Sequence, residues 1–249
     1  MEVPSQKIDT INALDKSYLI GEQLYEYASE MFPICRSITG NGVRETLKII
    51  QRMLPVQVHE VPSGTKVFDW EVPKEWNIKD AYIKNSKGQK VVDFVNCNLH
   101  ILNYSLPIHT KLSLQELKPH LFYLQGQPDW IPYRTSYYKE DWGFCISYNQ
   151  FLSLQDDIYE VVIDATLSPG HLTYGEYFIK GETTEEILFS AHICHPSLAN
   201  DNLSGISIST FLARYLQQNK SRYSYRFLFI PGTIGAITWL ALNESNTGR

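Results

Sequence analysis

Within ten residues the chain places His192, Cys194, His195 and Asp201, in the runs Ser190-Ala191-His192-Ile193-Cys194-His195-Pro196 and Ala199-Asn200-Asp201-Asn202-Leu203-Ser204-Gly205. Imidazole nitrogen, thiolate sulfur and carboxylate oxygen are the atoms that divalent transition metals take. The spacing is not a closed four-ligand signature, so two readings stand side by side. In one, the residues gather round a metal. In the other, Asp201 or Asn202 caps a helix and the histidines hydrogen-bond locally. Tight sites need three or four fixed ligands; His192 and Asp201, with only His195 or Cys194 to join them, predict weak zinc binding by these residues alone.

Other chemistry-bearing residues point less sharply. Gly232-Thr233-Ile234-Gly235-Ala236 after a strand lacks the three-glycine spacing of a dinucleotide turn. Cys194 and His195 are adjacent in sequence, which rarely allows a thiol and an imidazole to activate one another. His59, His100, His109, His120 and His171 are scattered and read as surface or hydrogen-bonded residues. The aromatic run Trp130–Tyr138 offers faces for stacking on a sugar or peptide, although strand-forming core aromatics account for it more simply.

The elements that must position these residues follow from periodicity. Leu24, Tyr27, Ala28 and Met31 share one helical face in Leu19–Met31, which Pro33 stops. Val43, Leu47, Ile50, Met53 and Leu54 mark a second helix from about Thr39, ending before Pro55, and Val56–Val61 alternates as a strand. Short β-leaning runs follow: Ala81–Lys84, Val91–Tyr104, Leu121–Leu124, Phe144–Ser147 and Tyr159–Leu167. Strands at Tyr177–Ile179, Ile187–Ala191 and Arg226–Ile230 then alternate with helices at Leu203–Leu216 and Ala236–Leu242. The Ile187–Ala191 run is nearly all apolar and is expected at the centre of a sheet. Gly205 is expected to let its helix pack close to that sheet. The metal-ligand cluster then falls at the carboxyl end of a strand, where open α/β sheets place their sites.

Composition narrows the partners. The 249 residues carry a net charge of -5, and the Lys and Arg residues are scattered, which argues against nucleic acid. No run of about 18 apolar residues exists, which argues against a membrane-spanning helix. The N-terminal MEVPSQKIDTINALDKSY lacks the basic-then-apolar order of a secretory signal. Four cysteines, Cys35, Cys97, Cys145 and Cys194, read as thiols in a reducing cytoplasm.

The runs Leu172–Glu182 (LTYGEYFIKGE), Glu186–His192 (EILFSAH) and Ala199–Gly205 (ANDNLSG) together resemble the co-catalytic zinc aminopeptidases. Within that superfamily the chain is most similar to a bacterial aminopeptidase-like family of unknown function that carries an inserted β-rich domain. His192–Gly205, Pro231–Ala236 (PGTIGA) and Met31–Gly40 (MFPICRSITG) carry that likeness, which spans essentially the whole chain. The resemblance implies one or two zinc ions, with His192 on one metal and Asp201 bridging two. Where the superfamily usually has an Asp two residues after the His, this chain has Cys194. Where it has adjacent glutamates, general base then ligand, this chain has Thr233 and Ile234. Neither accepts a proton near neutral pH or ligates zinc usefully. The remaining superfamily ligands would fall beyond Arg249, so the chain reads as a piece of a longer protein, with His195 in place of one lost ligand.

The expected fold is α/β, a mostly parallel sheet flanked by helices in a partial zinc-aminopeptidase-like arrangement. Residues 1–66 form its helical start, 67–171 an inserted β-rich domain, and 172–249 the incomplete α/β remainder. The expected activity is zinc-dependent hydrolysis of an amide in a small peptide or amino-acid conjugate. An open sheet edge makes self-association a further expectation. The competing reading is a binding or scaffold protein that kept the fold and lost hydrolysis.

Overall fold

The computed structural model describes residues 19–244; the leader-free reading of residues 1–18 lies outside the described residues. Residues 19–31 are helical (α1) and α2 spans Asn41–Gln51. Val43, Leu47 and Ile50 of α2 are buried on one stripe, as their spacing predicts. After β1 (Gln57–Pro62) comes a β-rich stretch: β2 (Lys66–Val67), β3 (Trp70–Glu71), β4 (Glu75–Lys84), β5 (Lys90–Asp93), β6 (Ile108–Ser113), α3 (Leu114–Leu117), β7 (Leu121–Phe122), β8 (Phe144–Cys145), α4 (Tyr148–Ser153) and β9 (Ile158–Ser168). The chain then runs through β10 (His171–Ile179), β11 (Glu186–His192), α5 (Ser204–Gln217), β12 (Ser224–Ile230) and α6 (Ile234–Leu242).

The first sheet has the order β1-β10-β12-β11. β11 and β12 pair in parallel across α5, the βαβ unit read from the sequence. A mostly parallel sheet is expected; among the described residues of this sheet, parallel pairing is found in that unit alone, because β10 pairs antiparallel with both β12 and β1. The β1–β10 ladder has a topological reason. It ends at Pro62 opposite His171, so the chain leaves and re-enters the sheet at neighbouring points and the intervening residues build a second sheet, β5-β4-β9-β6, without disturbing the first. A second correction concerns β11. Among the described residues it is an edge strand, with Ile187 37% and Leu188 48% exposed, whereas β12 is interior and buries Phe227–Ile230. An apolar run reports what covers a strand's faces in the complete fold, and it does not report the strand's position in the sheet.

Within the second sheet β9 matches its predicted run, but Val91–Tyr104 does not remain extended. It leaves β5 at Asp93 through a turn and a short helical turn at Asn98–His100. The sequence reading also missed β6 and the short helices α3 and α4. Each helix opens on a capping box, Ser113 with Glu116 and Ser147 with Gln150, a signal that was present in the sequence.

The two sheets do not keep separate cores. One apolar cluster joins Trp76, Ile83, Phe144 and Val161 of the second sheet's region to Leu172, Tyr174, Leu228, Ile230, Ile234 and Trp239. The other lies on the opposite face of the first sheet, where Met31, Leu47, Ile50 and Ile206 pack on Phe227 and Phe229. Ionic contacts reinforce the junction. Arg44 of α2 grips Glu75 at the start of β4 with two hydrogen bonds of 2.7 and 2.8 Å and reaches Glu60 of β1 at 2.7 Å. Glu75 also accepts from the backbone N–H of His171 at 2.9 Å.

Those Arg44 hydrogen bonds hold the Glu75 carboxyl at about 2, below its ordinary value. A depressed folded-state pKa stabilises above the unfolded value and is lost as pH falls through the folded one. Stability should therefore drop between about pH 4.5 and pH 2 in part through Glu75. Glu75→Gln should cost about 1–3 kcal/mol at pH 7 and flatten that acid limb, read from urea midpoints across pH. An unchanged acid limb would show that the junction does not depend on this pair.

Candidate metal centre

The ligand cluster forms where β11 ends. His192 is the last residue of the strand and faces outward, while the next amide, Ile193 N–H, bonds the Ile230 carbonyl of β12 at 3.1 Å. Strand alternation then buries Ile193, and Cys194 follows it into the interior. Gly232 packs against the exposed side of this turn; a Cβ there would approach His192 Nδ1 to 3.0 Å. An irregular turn at Ala199–Leu203, with Asp201 and Asn202 in non-helical conformations, leads into α5.

His192, His195 and Asp201 bring one ligand atom each to within 4.8 Å of one another. The His195 Nδ1 to Asp201 Oδ1 distance is 3.4 Å. Two ligand atoms about 2.0–2.1 Å from a tetrahedral zinc are separated by about 3.3 Å, so this pair already stands at ligand spacing. His195 Nδ1 is also buried with no hydrogen-bond partner, an orphan that an ion would satisfy. Burial lowers the pKa of His195, opposed by the nearby Asp201 carboxylate, which favours the neutral, ligating imidazole. The side chain of Asp201 is 67% exposed, so the cluster opens to solvent on that side.

Cys194 stands apart from this group. It is buried, its sulfur accepts the Gly232 N–H at 3.2 Å, and burial pushes its thiol up to about 11. In this position the thiol braces the strand-end turn and lies outside the three-residue cluster. The two readings of Asp201-Asn202 are divided between neighbours. Asn202 Oδ1 accepts the Gly205 N–H at 3.1 Å and caps α5, leaving Asp201 to face the histidines. A Cβ at Gly205 would lie 2.0 Å from Asn202 Oδ1, so a larger residue there would displace that side chain.

Thr233 and Ile234 follow β12, beside the cluster. Ile234 is buried in the core. Thr233 is exposed at φ 54, ψ -69, the centre of a γ-turn closed by Ile234 N–H to Gly232 O at 2.7 Å. That conformation is strained for a β-branched residue. The scattered histidines lie elsewhere: His100 bonds the Cys145 carbonyl, His120 that of Trp142, His109 meets Glu160, and His171 approaches Glu60. His59 stacks on Tyr174.

Sequence reasoning missed the residues that hold the cluster. Arg36, 1% exposed, donates from Nε to the His195 carbonyl and from Nη1 to the Met31 carbonyl, both at 2.8 Å. Its only sequence signal is a cation directly after the apolar run Phe32-Pro33-Ile34-Cys35. Tyr133, from the aromatic run, sets its ring at 83° to that of His195 with centroids 5.3 Å apart.

The profile of the family described as "Domain of unknown function (DUF4910)" matches residues 25–249. A Clostridium acetobutylicum protein named provisionally for polysaccharide biosynthesis and an aminopeptidase-like domain is 60% identical over 224 residues, 90% of this chain and 52% of that protein. A crystal structure from C. acetobutylicum, described provisionally as a peptidase, superposes with a TM-score of 0.92 at 57% identity, covering 95% of this chain and 56% of that one. The chain therefore spans about half the length of these relatives. An M28 peptidase precursor from Shewanella amazonensis gives a TM-score of 0.52 at 12% identity over 95% of this chain and 72% of its own. A Bacillus subtilis zinc aminopeptidase gives 0.50 at 13% over 84% and 61%. At such identities the likeness is one of fold. The chain belongs to the DUF4910 family, an aminopeptidase-like family whose fold is that of the M28 peptidases.

Proposed function

We propose that the protein containing this chain is a zinc-dependent hydrolase of an amide bond in a small peptide or amino-acid conjugate. The observation that carries the reading is the buried, unpartnered His195 Nδ1 at ligand spacing from Asp201. His192, His195 and Asp201 are the residues that would hold the ion, and three protein ligands with an open side is the arrangement of catalytic rather than structural zinc. When bound, zinc supplies Lewis acidity toward an amide carbonyl and lowers the pKa of water to about 7. His195 anchors the inner side of the cluster, and the exposed Asp201 carboxylate has room to bridge toward a second ion. Four free thiols fit a reducing cytoplasm, and no helix of the described residues is long and apolar enough to cross a membrane.

Neither Thr233, which carries only a hydroxyl, nor Ile234, which is core, can be the proton acceptor. The same two residues favour a second reading, a binding protein on an aminopeptidase fold. Zinc content and rate on a panel of aminoacyl amides separate the two: zinc with turnover supports the hydrolase, and zinc without turnover supports the binder.

Asp201→Asn should lower zinc occupancy at least about tenfold and abolish any turnover, because a neutral amide is a poor ligand and cannot bridge cations. Full activity in Asp201→Asn would sink the metal-hydrolase reading. Thr233→Gly should raise stability by about 1 kcal/mol, since glycine relieves the positive-φ strain, and should change turnover by less than about tenfold because a hydroxyl there can only orient. A lower urea midpoint in Thr233→Gly would show that the turn is held by the threonine side chain instead.

A further inference from the structure

A closed circuit of contacts begins and ends on His195. Arg36 Nε donates to the His195 carbonyl at 2.8 Å, and the Arg36 carbonyl accepts Asn103 Nδ2 at 2.9 Å. Asn103 Oδ1 accepts the hydroxyls of Ser37 at 2.6 Å and Tyr137 at 3.2 Å. The hydroxyls of Tyr137 and Tyr133 lie 2.8 Å apart, and the Tyr133 ring returns to the His195 ring. Three members of the circuit, Asn103, Tyr133 and Tyr137, belong to the stretch between β1 and β10.

The directions of these bonds are fixed. The Asn103 amide nitrogen faces a carbonyl, so its oxygen is the acceptor for both hydroxyls. Tyr137 has one proton and commits it to Asn103, so the hydroxyl of Tyr133 donates to Tyr137. Asn103 is fully buried. Tyr133 is thus tethered at its hydroxyl to a rigid partner, and its ring cannot swing away from His195 without breaking a directed bond. An imidazole needs such a constraint, because its χ2 is broad and ligating histidines are ordinarily oriented by a neighbour. Among the described residues no hydrogen bond holds the His195 ring; Asp201 Oδ1 lies 3.4 Å from its Nδ1 on the exposed side, and the perpendicular Tyr133 ring stands against its face.

We infer that Tyr133 is a positioning residue of the metal centre, reaching from the stretch between β1 and β10 to fix the His195 imidazole with Nδ1 toward the ligand cluster. The inference rests on the zinc reading above. It makes the second sheet's region a structural part of the metal centre.

The test measures zinc affinity of the full chain by competition with a chromophoric chelator, together with the visible spectrum of the cobalt-substituted protein. Tyr133→Ala should weaken zinc about 10- to 100-fold, the usual effect of losing a group that orients a ligand, and should shift the cobalt bands. Tyr133→Phe keeps the ring but loses the tether, and Tyr137→Phe removes the tether from the other side, so both should fall between Tyr133→Ala and wild type. Trp130→Ala, which removes an exposed aromatic from the same run, should match wild type. Wild-type affinity and an unchanged cobalt spectrum in Tyr133→Ala would overturn the inference while leaving the zinc reading intact. If Tyr133→Ala does not fold, wild-type affinity and an unchanged spectrum in Tyr137→Phe would overturn it equally. If the wild-type chain takes up no zinc, the same measurements are made on the longer protein that contains it, and no zinc uptake there would overturn the zinc reading itself, and this inference with it.

Discussion

The buried guanidinium of Arg36 is the contact on which the site's construction depends. A cation in the interior is costly unless its donors are matched, and Arg36 has no carboxylate partner. It is held by the carbonyls of Met31 and His195 and, at 3.4 Å, by Thr46 Oγ1, while its Nη2 is buried without a hydrogen-bond partner. Burial lowers its pKa to about 10, which still leaves it charged at neutral pH. The consequence is that the end of α1 and the turn at His195, 159 residues from Arg36, cannot move independently. Ser197, donating to the Phe32 carbonyl at 2.7 Å, adds a second tie between the same two segments.

Much of this organisation was legible in the residues, and what was not has a physical cause. The periodicity of Val43, Leu47 and Ile50 and the alternation around Val161 and Ile163 report local burial, and those elements lie where the pattern puts them. The cluster at the end of β11 was legible because its ligands are close in sequence. Strand pairing is not local: nothing in Leu172–Ile179 states that β10 runs antiparallel to both neighbours. Nor does Tyr133 announce itself, because its partner is 62 positions away and its type suits a core as well as a site. The roles of Cys194 and Gly205 turned on single atoms, the Gly232 N–H and Asn202 Oδ1, which spacing cannot resolve.

The β1–β10 ladder explains how a long segment interrupts the first sheet yet contributes to its site. Its ends emerge side by side, and Ser63 and Gly170 cross-bond there, with Ser63 N–H on the Gly170 carbonyl at 2.9 Å and Gly170 N–H on Ser63 Oγ at 3.1 Å. From that anchored base the second sheet packs over one face of the first. Asn103, Tyr133 and Tyr137 thereby come within reach of residues more than thirty positions away on either side.

The same ladder sets an order of assembly. Ser63 and Gly170 are 107 residues apart, and closing so long a loop before its interior is ordered carries a large entropic penalty. The β4–β5 hairpin involves far shorter separations and can form first, drawing β9 in and bringing the two stems together. β1 should therefore gain amide protection later than β4 during refolding.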